Sequence, residues 1–486
     1  MSIGATLDTA KRLRLKGLFQ AAIDELRRCI ENVPADCDAE QLAAMYHELG
    51  VLYYHTASFQ QAVVYFTKAI EHAADRDIWV KRNTVLAAAY HRLSEFDTCY
   101  RILSELKKYV DVVSPATKGL LWLNLSGIEG INGFYMQAIV SSQESFLAYR
   151  QHNIHRNDVV LNNNLGLAYL EIGDYSTSES YLLKAYELSQ GNDMSILSDL
   201  GRLYLLQGKM AQSIEYAKQA LSIIWSSFIA YEKEYIARLC HLLANISIRL
   251  GESELAFRLY EKAQVLFGQL AMWRQWQDIE SEVSRWEDNP PPGPADDEGW
   301  DISLDEIQHF LQCLDAINSQ ELIHKQVMKL LDLRAHYVEL MAEELELPEP
   351  QRRDLVLASR FADYGWTALE NEVVLNPQRS EQAFEKYKLH PSLSVQMAQT
   401  LGLSCEITNI IQDHHECYDG SGFPNGKTAN DIDYLARVLA VVDHYCTQIV
   451  LGGKDHFSAL NELIENRRIA FDPDVVQAFV RMHAVD

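Results

Sequence analysis

A pattern of small and aromatic residues recurs at fixed spacing along the first 286 residues, and it constrains the fold more than any other feature of the chain. Each copy joins a Leu-Gly or similar step to a tyrosine and then to alanines farther on. The clearest copies begin at Leu49, Leu165 and Leu200. Small residues let two antiparallel helices approach, and the rings fill the gap between them. The repetition therefore predicts about seven stacked units of helix, turn and helix.

This spacing resembles the tetratricopeptide repeat over most of residues 8–270. The resemblance implies a superhelix of helix pairs whose groove receives an extended segment or a helix of a protein partner. A rigid stalk or a dimerisation platform is the alternative for the same helices. No row of lysines and arginines marks a site for the C-terminus of a peptide, so the ligand of the groove cannot be read from the sequence.

The balance of charges disfavours several classes of function. The chain has 43 basic and 68 acidic residues, a net charge of −25, which repels nucleic acid and anionic lipid. Its eight cysteines form no CxxC pair, as expected for reduced thiols. Neither a signal pattern nor a long apolar run is present. We expect a cytoplasmic protein without membrane insertion or nucleic-acid binding.

An acidic, proline-rich stretch interrupts the periodicity after the repeats. Residues 287–298 contain four prolines and five acidic residues, a composition typical of an extended linker. The sequence predicts a repeat array over residues 1–286, a linker over 287–300 and a second domain over 301–486. Apolar residues recur at helical spacing from residue 303 onward, so the second domain is predicted to be helical and the whole chain all-α.

Imidazoles and carboxylates that could bind a metal are concentrated in this second domain. The stretch His414–Pro424 contains two adjacent histidines, two acidic residues and a Gly-Ser-Gly-Phe-Pro turn. Asp332 and His336 stand four apart and share one face of a predicted helix. Asp443 lies in an otherwise apolar helix, where a carboxylate needs a partner. The candidate metal ligands are Asp332, His336, Asp363, His390, His414, His415 and Asp443.

The order and spacing of these residues resemble the HD-GYP family from about residue 323 to residue 480. Members of this branch of the HD phosphohydrolases hydrolyse cyclic di-GMP at a two- or three-metal site, usually of iron or manganese. The resemblance assigns Asp332 to a ligand of a third metal, His336 to the ligand of the first helix and Asp363 to the bridge between two metals. It assigns the remaining ligand positions to His390, His414, His415 and Asp443.

The same resemblance implies a lip around the site that contacts nucleotide or a partner, including diguanylate cyclase domains. The residues of this lip are Asp419, Gly420, Gly422, Phe423, Pro424 and Arg437. Phe423 replaces the tyrosine of the family motif and keeps its ring. Packing of Phe423 within its own domain is the alternative to a partner contact.

Two departures from the family motif bear on hydrolysis. Ala362 stands where the family has the histidine that precedes Asp363, and Trp366 stands where it has a lysine. Alanine has no lone pair for a metal, and an indole N–H cannot replace an ammonium group. We therefore expect one or two divalent ions and a weakened site.

Three functions follow from these expectations. The first is a bacterial-type cyclic di-GMP signalling protein in which the repeats recruit a protein, while the degenerate HD-GYP domain binds nucleotide or metal, or docks proteins, with weak or no hydrolysis. The second is an active metal-dependent cyclic di-GMP phosphodiesterase, since most of the ligands are retained. The third is a scaffold with a structural metal site. The sequence leaves open whether the protein is an enzyme.

Overall fold

The computed structural model describes residues 3–33, 37–73, 75–227, 233–288, 302–320 and 325–484. Within these ranges the chain is helical and forms no β-strand, apart from one isolated bridge between Arg467 and Phe471. The predicted all-α fold class is thereby confirmed. None of the described helices combines the length and apolarity needed to cross a bilayer.

Contacts between Cα atoms divide the chain into two compact units. The first consists of Met1–Arg14, Glu25–Ile223 and Tyr231–Ser303. The second consists of Leu15–Asp24, Ile224–Ala230 and Leu304–Asp486. The short segment Leu15–Asp24 thus groups with the second unit, although its sequence continues the repeat pattern. Most of the linker predicted over 287–300 lies outside the described residues, and its first two residues end a helix.

Antiparallel helix pairs form the repeats. The helices of this part of the chain are α1 (Ile3–Leu15), α2 (Phe19–Glu31), α3 (Ala39–His55), α4 (Phe59–Glu71), α5 (Arg76–Arg92), α6 (Phe96–Leu106), α7 (Pro115–Ile131), α8 (Tyr135–Arg150), α9 (Asp158–Glu171), α10 (Tyr175–Leu188), α11 (Met194–Leu206), α12 (Met210–Ser227), α13 (Lys233–Arg249), α14 (Ser253–Gln269) and α15 (Trp273–Asp288). Within the first unit, consecutive helices from α3 to α11 pack on one another, and the odd-numbered helices α5 to α13 also contact each other.

The repeat glycines explain how closely these helices approach. A Cβ atom on Gly50 would lie 2.4 Å from the ring of Phe66, and one on Gly166 would lie 2.5 Å from the side chain of Leu182. Both glycines lie in the first helix of a pair, and both bulky partners lie in the second. Any larger residue at these positions would force the pair apart, because packed interiors have no spare volume.

The second unit is a bundle of shorter helices. They are α16 (Leu304–Ser319), α17 (Lys325–Glu344), α18 (Glu349–Phe361), α19 (Asn371–Leu375), α20 (Glu381–Tyr387), α21 (His390–Thr400), α22 (Cys405–Asp413), α23 (Tyr434–Val450), α24 (His456–Glu465) and α25 (Pro473–His483). α17 and α18 both pack against α23, α18 also packs against α22, and α22 packs against α21. A 3₁₀ turn at Tyr364–Ala368 follows α18 and packs on α21. Several helices therefore end or begin around one point.

Candidate functional site

Helix ends bring one aspartate and three histidines together in the second unit. One ligand atom from each of Asp363, His390, His414 and His415 lies within 4.8 Å of the others. Asp363 follows the end of α18, His390 begins α21, and the two adjacent histidines follow α22. Four of the seven ligands predicted from the sequence thus form one cluster.

Backbone carbonyls orient two of the imidazoles. Nδ1 of His390 lies 2.8 Å from the carbonyl oxygen of Tyr387, and Nδ1 of His414 lies 2.6 Å from that of Ile411. Because a carbonyl can only accept, each Nδ1 carries the proton and each Nε2 of the neutral ring keeps a lone pair. Burial lowers the pKa of His390 to about 3, so this ring is neutral at physiological pH.

The free nitrogens of the cluster converge on one carboxylate. Nε2 of His390 lies 3.4 Å and Nε2 of His414 lies 3.9 Å from Oδ1 of Asp363. The Nε2 atoms of His390, His414 and His415 are all buried without a hydrogen-bond partner. Lone pairs that face a buried carboxylate are unfavourable unless a cation lies between them. Three imidazoles, two of them oriented by backbone carbonyls, and one carboxylate fit one divalent transition metal.

A buried arginine that sequence reasoning missed completes the surroundings of Asp363. Nη1 of Arg334, on α17, donates to Oδ2 of Asp363 at 2.6 Å and to Oδ1 of Asp443 at 2.5 Å. Burial acts to raise the pKa of the Asp363 carboxyl, but the Arg334 guanidinium holds it well below its usual range. Asp443 therefore has the partner that its apolar helix required, and that partner is an arginine.

A signal for Arg334 was present in the sequence. Leu330, Leu331, Tyr337 and Val338 are buried on α17 and recur at helical spacing around position 334. A charged residue inside such an apolar stripe needs a buried counter-charge. Arg334 is itself fully buried.

The structure does not bring Asp332 and His336 to the cluster. Oδ1 of Asp332 accepts a hydrogen bond from Nη1 of Arg360 at 2.8 Å. Nε2 of His336 lies 2.8 Å from the carbonyl oxygen of Gly17, and its ring stacks on Phe19 at 5.2 Å. Residues two apart on a helix point about 200° apart. Because Arg334 faces the cluster, the residues two positions before and after it face elsewhere.

The predicted lip is a turn built around a buried glutamate. Glu416 accepts hydrogen bonds from the backbone N–H groups of Asn425 and Lys427 at 2.6 and 2.9 Å. Gly420 has a φ of 86°, and Oδ1 of the exposed Asp419 accepts from the N–H of Ser421 at 2.9 Å. These bonds fix the turn next to the histidines.

Phe423 connects the lip to the cluster. Its ring stacks on His415 with a centroid distance of 4.9 Å, and the exposed Pro424 follows through a cis peptide bond. Gly422 lies so close to its neighbours that a Cβ atom would be 2.1 Å from the N atom of Cys417. Phe423 thus packs within its own domain, which was the alternative considered for it. Arg437, also assigned to the lip, pairs with Asp472 at 2.5 Å.

Both residues that depart from the family motif are buried. The carbonyl of Ala362 accepts a hydrogen bond from Ser394 at 2.7 Å. Trp366 packs edge to face with His390 at a centroid distance of 5.9 Å, and its Nε1 has no hydrogen-bond partner. An apolar methyl group and an indole ring therefore lie next to the candidate ligands.

The first unit contains a cavity of about 500 Å³. Residues of α5, α7, α9, α11, α13 and α15 line it. Ion pairs neutralise much of its charge: Arg238 donates to Asp199 at 3.1 Å and to Glu234 at 2.7 Å. Asn163 lines the same cavity, and its Oδ1 is buried without a hydrogen-bond partner.

Known families and relatives match both parts of the chain. A family model described as tetratricopeptide repeat matches residues 43–75, 160–192 and 195–224, and one described as HD domain matches residues 314–475. The chain is 31% identical over 168 residues to the cyclic di-GMP phosphodiesterase response regulator RpfG of Xanthomonas campestris, covering 32% of this chain and 43% of that protein.

Two further relatives match the same part of the chain. A cyclic di-GMP phosphodiesterase of Pseudomonas aeruginosa is 30% identical over 148 residues, covering 29% of this chain and 35% of that protein. A 3'3'-cGAMP-specific phosphodiesterase of Vibrio cholerae is 24% identical over 149 residues, covering 30% of this chain and 32% of that protein. The chain spans less than half the length of these relatives. Within the part of the chain that these relatives match, the His/Asp cluster could hold a metal ion. Both resemblances drawn from the sequence are confirmed: the chain joins tetratricopeptide repeats to an HD domain, and the relatives of that domain include cyclic di-GMP phosphodiesterases.

Proposed function

We propose that this protein is a cyclic di-GMP signalling protein whose HD domain binds the nucleotide through a divalent metal, with weak or no hydrolysis, and whose repeats recruit a protein partner. One observation carries the proposal. The cluster of Asp363 and three imidazoles is intact, while the buried Ala362 and Trp366 stand where the related family has a histidine and a lysine. The ligands for one ion are kept and the groups for hydrolysis are lost.

The chemistry of the ligands supports iron or manganese as the metal. Imidazole with carboxylate suits both ions. A divalent ion bound by the cluster would supply positive charge for a phosphodiester oxygen. Trp366 offers no such charge, because an indole can donate one neutral hydrogen bond only. The names of the relatives favour cyclic di-GMP, and one of them makes 3'3'-cGAMP a second candidate.

An active phosphodiesterase is the alternative. It is favoured by the orientation of His390 and His414, whose Nδ1–H groups are tied to carbonyls so that both Nε2 atoms face Asp363. Such preorganisation is typical of working metal sites. A structural metal in a scaffold is the third possibility.

Nucleotide binding without turnover is the expected result for the metal-loaded protein. The manganese form is titrated with cyclic di-GMP and with 3'3'-cGAMP by calorimetry, and the products pGpG and GMP are followed by chromatography. We expect one nucleotide per chain and a turnover below about 0.01 per second. Turnover near 1 per second, within the ordinary range for enzymes, would instead establish the phosphodiesterase. If the protein neither binds nor hydrolyses the nucleotides, a scaffold with a structural metal would be the remaining function.

A pair of histidine variants tests the route of binding. His415→Gln should abolish nucleotide binding, because it removes a ligand from the cluster. His444→Gln is the matched control: His444 is also half-buried in the second unit, where it lies 3.7 Å from Glu462. If both variants bind nucleotide as the wild type does, the cluster is not the nucleotide site.

The cavity of the first unit supports recruitment of a protein segment. Asn163 lines it, and the buried Oδ1 of this carboxamide is an acceptor that a backbone N–H group of an extended segment could satisfy. With a random peptide library as the probe, we expect Asn163→Ala to weaken the selected peptides about tenfold, the loss of one buried hydrogen bond. Asn192→Ala, at an exposed position outside the cavity, should leave them unchanged. Selection of no peptide would favour the stalk or the dimerisation platform.

A further inference from the structure

The buried Arg334 lies between the two carboxylates that a second metal ion would require. We infer that its guanidinium is a built-in counter-cation in place of that ion, so that the HD domain is constructed for a single divalent metal. The inference rests on the metal site of the proposed function and adds to it the number of ions and the charge of the site.

The geometry of Asp363 is that of a bridge between two cationic positions. Its Oδ2 accepts from Nη1 of Arg334 at 2.6 Å, whereas its Oδ1 faces Nε2 of His390 at 3.4 Å and Nε2 of His414 at 3.9 Å. One carboxylate oxygen therefore binds the guanidinium, and the other faces the imidazoles of the cluster. The same Nη1 reaches Oδ1 of Asp443 at 2.5 Å. An ion bound to these two carboxylates would have to displace the guanidinium.

Displacement is opposed by the way Arg334 is held. Its Nε donates to the carbonyl of Ser359 at 2.9 Å, and no part of the side chain is exposed. A guanidinium cannot release its proton at any physiological pH, so it remains a positive charge. A second divalent ion would therefore meet a fixed like charge at close range.

The charges of the site balance with one metal. Asp363 and Asp443 are 2% and 7% exposed, so both need positive partners. The arginine supplies one positive charge, so one negative charge of the two carboxylates remains unneutralised. A single divalent ion at the three imidazoles turns this residual negative charge into one positive charge, which matches one phosphodiester anion. Without the metal the site repels phosphate, so nucleotide binding should depend on the metal.

Metal counting tests the inference, with Arg360 providing the control. We expect about one manganese per chain in the wild type, measured by elemental analysis after dialysis against Mn²⁺. Arg334→Met should bind about two ions, because Asp363 and Asp443 lose their counter-cation. In chelator its Tm should fall by about 5 °C or more, and Mn²⁺ should restore it. Arg360→Met removes an equally buried arginine that pairs with Asp332 instead. It should lower the Tm without changing the count, and Mn²⁺ should not restore it.

A second pair of variants keeps the test independent of the folding of Arg334→Met. Asp443→Asn should change the manganese affinity less than about threefold, while Asp363→Asn should lose it. Two ions in the wild type, no ion at all, or an equal loss of affinity in both aspartate variants would overturn the inference. A protein with one ion that fails to bind cyclic di-GMP would overturn the proposed nucleotide function and leave the role of Arg334 standing.

Discussion

Asp363→Asn should reduce the affinity for manganese at least about 100-fold and destabilise the metal-free protein by about 3 kcal/mol. The carboxylate is the only anionic member of the four-residue cluster and also holds Arg334. An amide of the same shape keeps the packing, so the loss would come from charge. Competition with a fluorescent chelator gives the affinity, and urea unfolding in EDTA gives the free energy.

Asp332→Asn is the matched control for this change. Asp332 also pairs with a buried arginine, but its partner is Arg360 and it lies outside the cluster. Its side chain is 20% exposed, so the expected loss of stability is smaller, about 1 kcal/mol. Manganese affinity should stay within about twofold of the wild type. An equal loss of affinity in both variants would return Asp332 to the metal shell.

The acid dependence of stability should differ between the wild type and Asp363→Asn. Because the pKa of Asp363 is depressed in the folded protein, its ionised form stabilises the fold above the ordinary carboxyl pKa of about 4. That contribution is lost as the pH falls below this value. The variant has no such group, so its metal-free stability should decline less between about pH 4 and pH 2. Parallel declines would mean that Arg334 does not hold this carboxylate ionised.

The repeats and the central cluster were predictable because their signals are local. Gly50 and Gly166 mark close helix pairs by their spacing to a bulky residue one helix later. Asp363 precedes a glycine-containing turn, and His390 precedes a proline, so the sequence alone indicates a helix end at each of them. His414 and His415 precede a glycine-rich turn. Each of these expectations used only residues within one or two elements.

The inward face of α17 was not predictable in the same way. Asp332 and His336 do share a face, but the choice of face depends on partners far along the chain. Arg334 forms hydrogen bonds with Asp363 and Asp443, which are 29 and 109 residues away in the sequence. The hydrogen-bond partner of His336, Gly17, is 319 residues away. Helical periodicity alone identifies the buried face of a helix, but it does not identify the residues which that face contacts. On this face the chain has Arg334, whose guanidinium pairs with Asp363 and Asp443.

Gly365→Ala should misplace His390 and destabilise the second unit by about 3 kcal/mol or more. A Cβ atom on Gly365 would lie 2.4 Å from the carbonyl oxygen of His390 and 2.9 Å from the N atom of Ser394. Both are backbone atoms of α21, which cannot rotate away as a side chain would. Because α21 begins at His390, the helix can accept the methyl group only by moving its first turn and the ligand with it. The Tm of thermal unfolding and the affinity for manganese should therefore both fall in this variant.

Gly127→Ala controls for the exchange of glycine for alanine. Gly127 lies inside α7, and a Cβ atom there would meet nothing within 4 Å. Alanine favours the helix over glycine by up to about 1 kcal/mol, so this variant should be as stable as the wild type or slightly more. A Gly365→Ala protein that loses stability yet keeps its full manganese affinity would show that α21 can shift without moving His390. The metal site would then tolerate strain at the end of the helix that carries its ligand, and Trp366, which packs on the same imidazole, would be the better candidate for what holds that ring in place.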